Sequence, residues 1–577
     1  MHITSPPKPA EALRCAFVGI AMLSALAGCG GDSDSVTGTS TSKTAAWQTT
    51  SAQASKPTAN PYLASPLYAI THFDPSQSDS TPYGPPEGVY TVDPSIQAIV
   101  YGGPVNIMTL ASTDSNYMWS VGSDHVAYVN RSSDQWAKVA SIDAPAYLVS
   151  TLGSVSEQVF KAFGTLNPSS MSLSAMNTLL TQLFGERYSA RMANGAYSVV
   201  DKDNVVYANF GNGIYAFALA DPSDPSKGIS IARKIDDVLA MQTNPPSTAR
   251  VFGLSMTYDG NLIVVFNNGV AIVNRNLDLA SSTFYAFNSD ETVSNSIAVD
   301  ENNGIYVASD KLMRKLVWTG KALSDKEADG AWSSPYDAPT DAKPPVIKLG
   351  LGTGSTPTLM GFGDDTDRLV VITDGAKRMK LVAFWRDTIP AGFVQQGGSA
   401  SRRIAGQIQV TAGFSELPEW IQSEQSVVVN GYGAFVVNNI PSNTTGLSAV
   451  SDNKVLVVTM MGPAFDTAYG VERFQWDAAS HQWSSVWARS DVSSTSMIPV
   501  HSQSKNMALV NGYTPERGWE VTGMNWNTGE TVHQTIFGKQ NYGNGAYAIL
   551  EYLENGDLIF NSIVGPFRVH YHTDGNS

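Results

Sequence analysis

Ser296-Ile297-Ala298-Val299-Asp300-Glu301-Asn302-Asn303-Gly304-Ile305-Tyr306-Val307-Ala308 reads as two short strands around a tight turn. Small and apolar residues lead into an Asp/Asn/Gly cluster, which closes turns on its own backbone, and a β-branched run follows. The grammar recurs upstream. Ser198-Val199-Val200 passes through Asp203-Asn204 into Val205-Val206-Tyr207, and Leu254-Ser255-Met256 through Asp259-Gly260 into Leu262-Ile263-Val264-Val265. Further turns of this kind fall near Asp364 to Asp367, Asp452-Asn453, Lys505-Asn506 and Asn555-Gly556. A weaker one lies near Ser123-Asp124, and residues 423–439 supply part of another. The intervals are 44 residues (260 to 304), 50 (506 to 556), 53 (453 to 506) and 56 (204 to 260). That is the length of a four-stranded blade, and self-similarity at this period predicts an all-β chain folded as a β-propeller. Separate β-sandwiches are the alternative, and they do not explain a repeated turn pattern. Residues 90–575, less one insertion, hold seven or eight blades.

The insertion spans about 144–193, where the period changes from two to 3.6. Leu148, Leu152, Val155, Val159, Phe160 and Phe163 share one helical face, and Met176, Leu179, Leu180, Leu183 and Phe184 another. Asn167-Pro168 separates the two helices, and Gly185 ends the second. Such a helical hairpin caps blade edges, covers the channel mouth or offers a docking surface.

Composition narrows the function classes. Charged residues are 15% of the 577, hydrophobic ones 42%, and the net charge is −15. A chain this acidic lacks the basic face of a nucleic-acid binder. Two cysteines build neither a disulfide framework nor a Cys-rich zinc module. Lys8 and Arg14 precede a 12-residue apolar run, Cys15 to Leu26, too short to span a bilayer. The run ends in Leu26-Ala27-Gly28-Cys29, which resembles the lipobox of bacterial lipoproteins. That resemblance implies cleavage after residue 28, a lipid on Cys29 as the membrane partner, and a cell-envelope address. Gly30 after the cysteine favours the outer membrane, with the domain facing the periplasm or the cell surface. Residues 29–60 are rich in Ser, Thr, Gly and Ala and read as a flexible tether. The propeller domain is expected over 61–577, with ordered structure starting between Pro61 and Tyr68.

Ser296 to Asp300 with Gly304 to Ala308 is similar to blades of the NHL and gluconolactonase-like propellers. Trp526-Asn527-Thr528-Gly529-Glu530 resembles the tryptophan-docking repeat of quinoprotein propellers, although it occurs once here.

Phosphate-loop, nucleophile-elbow and HExxH motifs are absent from the sequence. His570 and His572 alternate near the C-terminus, and His72 and His501 read as hydrogen-bonded blade residues. Propeller ligands sit where innermost strands begin and where second strands turn into third. The first position gives Asn194, Asn295 and Asn544; the second gives Asn267, Asp310, Asp374 and Asn511. From these, Asn194, Asn295, Asp310, Asp374 and Asn544 form the expected ligand ring. Their oxygens are of the kind that holds Ca²⁺, which takes six to eight oxygen ligands. The resemblance to lactonases implies a divalent metal there, with Asp374 as the candidate base.

Two readings therefore stand beside a third. The leading one is a lipid-anchored module that binds a small organic ligand, a glycan or a protein. The second is a metal-dependent hydrolase of lactonase type, and the third a quinone-dependent dehydrogenase. Whether the chain is an enzyme is left open by the sequence.

Overall fold

The computed structural model describes residues 55–571, apart from 106–107, 133–134, 196, 339–343, 345–347, 349, 451 and 466–467. The expected signal segment 1–28, the expected lipidation position Cys29, most of the expected tether and His572 lie outside the described residues. Eight β-sheets follow one another along the chain, and seven of them have four or more strands. Their innermost strands are Met108–Ala111, Val199–Val200, Val251–Met256, Ala298–Val299, Thr358–Met360, Val428–Asn430, Val500–Ser502 and Leu550–Tyr552. The chain is a β-propeller. Its eighth sheet has three strands, and residues 100–105 run along its outer side. The amides of Val100, Gly102 and Val105 donate to the carbonyls of Pro566, Val564 and Ile563 at 3.0, 2.9 and 3.3 Å. Chain from before the first sheet thus completes the last and closes the ring.

The sheets hold together through alternating apolar faces and through indoles that cross between neighbours. Trp119 Nε1 donates to Asn204 at 3.0 Å, Trp318 to Asp259 at 2.9 Å and Trp476 to Asp367 at 2.8 Å. Trp526, from the Trp-Asn-Thr-Gly turn, lies beneath the Arg473 guanidinium at 5.1 Å and packs at a tilt against His501 at 4.3 Å. The first three pair an apolar ring with a satisfied polar edge, which is why buried indoles suit this position. Asp367 belongs to the acidic turn at 363–367, so that turn anchors a neighbouring sheet.

The chain before the first sheet fills the channel. Residues 68–81 are all buried, and together with Asn60 the segment reaches every sheet. The carbonyl of Tyr68 accepts from Ala111 at 2.8 Å, Ala69 from Val200 at 2.8 Å, and Pro75 from Val299 at 2.8 Å. Ser76 accepts from Leu359 at 3.0 Å, Ser78 from Val429 at 3.0 Å, and Asp79 from His501 at 2.9 Å. The Tyr68 hydroxyl reaches the Tyr552 carbonyl of the eighth sheet at 3.1 Å, and Asn60 Nδ2 reaches Met256 of the third at 3.1 Å. This plug carries five non-glycine residues at positive φ: Tyr68, His72, Phe73, Gln77 and Asp79. Left-handed backbone at such residues costs about 1 kcal/mol or more each, and persists only where surroundings fix it. Contacts with the sheets begin before Pro61, since Ser55 hydrogen-bonds Asp365 and the Thr58 carbonyl accepts from Tyr258 Oη at 2.7 Å.

Several expectations need correction. Asp452-Asn453 is not a strand turn: Asn453 caps helix Lys454–Met460, its side chain accepting from the Leu456 amide at 3.2 Å. The β-branched run Val455 to Thr459 is buried on every side, and burial overrides propensity in so short a segment. Asn511 lies within strand Met507–Thr514 and not in a turn. Ser123-Asp124 joins the second and third strands of the first sheet, one turn later than the repeat suggested. The helical insertion contains three helices, α1 (Ala146–Leu152), α2 (Glu157–Gly164) and α3 (Leu173–Phe184). The first expected helix is broken at Gly153, whose φ is 75°. Gly185 does end α3, at φ 87°.

Beside Tyr68, on the innermost strand of the eighth sheet, Glu551 is fully buried and makes no ion pair among the described residues. Burial pushes its carboxyl up from 4.5 to about 8, against smaller opposing effects of Thr109 and Arg131. A folded-state value above the unfolded one means the fold prefers the protonated acid. This contribution is full below about pH 4.5 and is lost as pH rises through about 8. Glu551→Gln is therefore expected to leave the melting temperature at pH 4.5 nearly unchanged and to raise it at pH 9. Thermal melts across that range check this; equal shifts at both ends would contradict it.

Candidate functional site: a lidded cavity at the channel mouth

The cavity lies where the innermost strands begin, and its volume is about 570 Å³. Every sheet supplies a lining residue from this level, among them Met108, Tyr197, Phe252, Asn295, Glu424 and Tyr547. The floor is His72, from the plug. The roof comes from two pieces: Ser189, Ala190 and Met192 of the turn after α3, and Asp452 and Lys454 at the start of Lys454–Met460. The two pieces are tied together, as Asn453 donates to the Tyr188 hydroxyl, which in turn donates to Asn177 at 2.8 Å. An apolar cluster of Phe160, Phe163, Leu180, Phe184, Leu456 and Met460 packs above them. The helical insertion is thus one half of a lid.

Local sequence explains the walls. The tetrad Asn-Gly-Ala-Tyr occurs at 194–197 and at 544–547, each time just ahead of an innermost strand. Both tyrosines adopt positive φ, 52° at Tyr197 and 54° at Tyr547, and both line the cavity. Gly195, at φ 71°, leaves no space for a side chain: a Cβ there would meet the Gly122 carbonyl oxygen at 2.8 Å. Burial pushes the Tyr197 hydroxyl up to about 12, with the Glu424 carboxylate adding to the effect and Thr356 opposing it. The Tyr547 hydroxyl is raised by the same two causes, burial first. Behind this wall Lys348 is buried and depressed to about 8, partly restored by Glu424 and Asp374. Its ammonium donates to Gln422, and its carbonyl accepts from Lys454 Nζ at 2.9 Å.

The expected ligand residues divide. Asn295 lines the cavity. Asn194 and Asn544 sit at the same level but are turned into the framework. Asn194 Oδ1 accepts from the Gly211 amide at 2.8 Å, and Asn544 Nδ2 donates to the Val458 carbonyl at 3.0 Å, holding the lid helix. Asp310 accepts from the Thr292 amide at 2.9 Å. Asp374 caps its own hairpin, accepting from the Lys380 amide at 2.8 Å and pairing with Lys380 Nζ at 2.9 Å. Burial raises its carboxyl, and Lys380 opposes this. These last two are not among the cavity-lining residues. A ring of convergent oxygens around an open axis is not what forms, because the plug occupies the axis. Among the described residues no group of three or more His, Cys, Asp or Glu is placed to hold a metal ion.

Sequence reasoning missed His72, which is a plug residue and not a blade residue. Its Nδ1 lies 2.9 and 3.0 Å from the two oxygens of Asp79, and its ring stacks on Tyr197 with centroids 5.8 Å apart. His501, in contrast, is buried beneath Ser80 and Trp526, and desolvation depresses it to about 3. His570 pairs with Asp557 at 2.8 Å, away from the mouth.

No family model matches the chain. An uncharacterised protein of Archaeoglobus fulgidus is 35% identical over 339 residues, which is 56% of this chain and 61% of that relative. The chain thus spans less than two thirds of the relative's length. Among solved structures, quinohemoprotein alcohol dehydrogenase ADHIIG of Pseudomonas putida HK5 is similar at TM-score 0.47 and 9% identity, covering 87% of this chain and 76% of the other. A europium-containing methanol dehydrogenase gives 0.46 and 9%, over 85% and 88%. A 6-phosphogluconolactonase-type protein of Bacteroides fragilis gives 0.36 and 10%, over 77% and 95%.

Proposed function

We propose that this chain is a cell-envelope binding propeller, held to a membrane by lipid on Cys29, that takes a small organic ligand in the mouth cavity. The observation that carries the reading is the convergence of all eight sheets, the plug and both lid pieces on one space of about 570 Å³. That is the size of a small-molecule site, commonly about 300–1,000 Å³, with apolar and aromatic walls around a few polar groups. Plugging turns the channel into a blind pocket, so a ligand enters and leaves by the lid. The lipobox resemblance of residues 26–29 supports the address. The lactonase reading is weaker, because its candidate base Asp374 is spent on Lys380 and on its own turn.

Native mass spectrometry of the full chain, exported by a bacterium and released in mild detergent, tests both parts. The expected result is a lipid mass that disappears in Cys29→Ser, together with a non-covalent small-molecule adduct that disappears in Ala190→Trp, which fills the mouth. An unlipidated wild type would overturn the address. An adduct that survives Ala190→Trp would place the ligand elsewhere.

A further inference from the structure

The polar groups of the cavity define a ligand class. His72 holds its Nδ1 against both oxygens of the buried Asp79, so Nδ1 is the donor of that pair, and the tautomer it selects offers Nε2 as an acceptor. That Nε2 has no hydrogen-bond partner among the described residues. Asn295 gives its amide to the Thr353 carbonyl at 3.2 Å, which leaves Oδ1 as an acceptor, and Oδ1 is likewise without a partner. Both residues line the cavity and both are 2% exposed. A buried acceptor without a donor costs about 1–3 kcal/mol, so a ligand bringing donors gains on binding. Around the rim, Glu424 and Asp452 balance Arg250 and Lys454, which favours no net ligand charge. Tyr197 and Tyr547 add ring surface to the wall.

We propose that the cavity selects a neutral polyhydroxylated ring, a sugar or cyclitol, with two hydroxyls donating to His72 Nε2 and Asn295 Oδ1. This rests on the binding reading above and narrows it. An anionic ligand would set its charge against both acceptors. An alkyl ligand would leave both acceptors unpaired, a mismatch that polar sites reject strongly.

The test is calorimetry on the full chain with glucose, galactose, xylose, maltose and myo-inositol. Gluconate, glucosamine and cyclohexanol serve as charged and under-hydroxylated controls. At least one neutral polyol is expected to bind, more than tenfold tighter than every control. Asn295→Leu is expected to weaken it about tenfold with the melting temperature within a few degrees of wild type, and Asn295→Gln to restore part of the loss. Tighter binding of gluconate or glucosamine would overturn the polyol class while leaving the cavity as a binding site. Unchanged polyol affinity in both Asn295→Leu and Ala190→Trp would overturn the assignment to this floor. Absence of binding by every polyol would overturn the class, and the adduct measured by mass spectrometry would decide the broader reading separately.

Discussion

Removal of residues 60–81 is expected to abolish cooperative folding of the domain. This segment hydrogen-bonds to the innermost strand of every one of the eight sheets. Its loss would leave the inward amides of Ala111, Val200, Val299, Leu359, Val429 and His501 without their carbonyls. It would also remove Tyr68 and Phe73, whose rings pack edge to face at 4.7 Å, from one apolar cluster and Ile70 from another. Each large buried side chain is worth about 2–5 kcal/mol, and a whole domain is stable by only about 5–15 kcal/mol. The expected readout is an aggregated product, or one with no sigmoidal thermal transition. Tyr68→Phe separates packing from hydrogen bonding. It keeps the ring and loses the hydroxyl shared by Thr81 and Tyr552, for a loss of about 1–2 kcal/mol. A deletion variant melting as sharply as wild type would show that the sheets need no plug.

The second large effect is at the ring closure. Asp557→Ala is expected to destabilise the protein by about 3–5 kcal/mol, the usual result of stripping one partner from a buried ion pair. Arg568 and Asp557 are buried and joined by two nitrogens at 2.8 Å. The same guanidinium reaches across to the carbonyls of Arg131 and Ser132 in the first sheet, both at 3.2 Å. Without the carboxylate the charge has no counterion, and the contact that ties last sheet to first is weakened with it. Urea denaturation should show a lower midpoint with an unchanged slope. Asp557→Asn, which keeps an acceptor, should lose less. Equal losses in the two variants would assign the effect to packing.

How far the fold was legible follows from the range of the interactions involved. Turns such as Asp259-Gly260 and Asn302-Asn303-Gly304 are local, so the repeat could be read from neighbouring residues alone. The α3 segment showed its period and its terminating Gly185 for the same reason. Lys454–Met460 did not, because seven residues are too few to show a period and the lid cluster decides their conformation. The plug was the least legible element. Leu67 to Thr81 alternates in no regular way, and its shape is imposed by eight sheets that lie up to 484 residues away in sequence. The innermost-strand starts were legible as one level of the fold, and of the asparagines expected there Asn295 lines the cavity. The paired tetrads at 194–197 and 544–547 were visible as an echo, but the residue that matters for the cavity is the tyrosine in fourth place. Asp310 and Asp374 illustrate the converse: an acid in a hairpin turn is engaged first by the turn itself.

The plug also gives the molecule a direction. Ser55 and Thr58 meet Asp365 and Tyr258, which belong to turns between first and second strands, the face opposite the lid. The segment rises from that face, turns near His72 beneath the cavity, and descends beside Val500–Ser502 to leave where it entered. The described chain therefore enters and leaves the propeller axis at one end, and the cavity opens at the other.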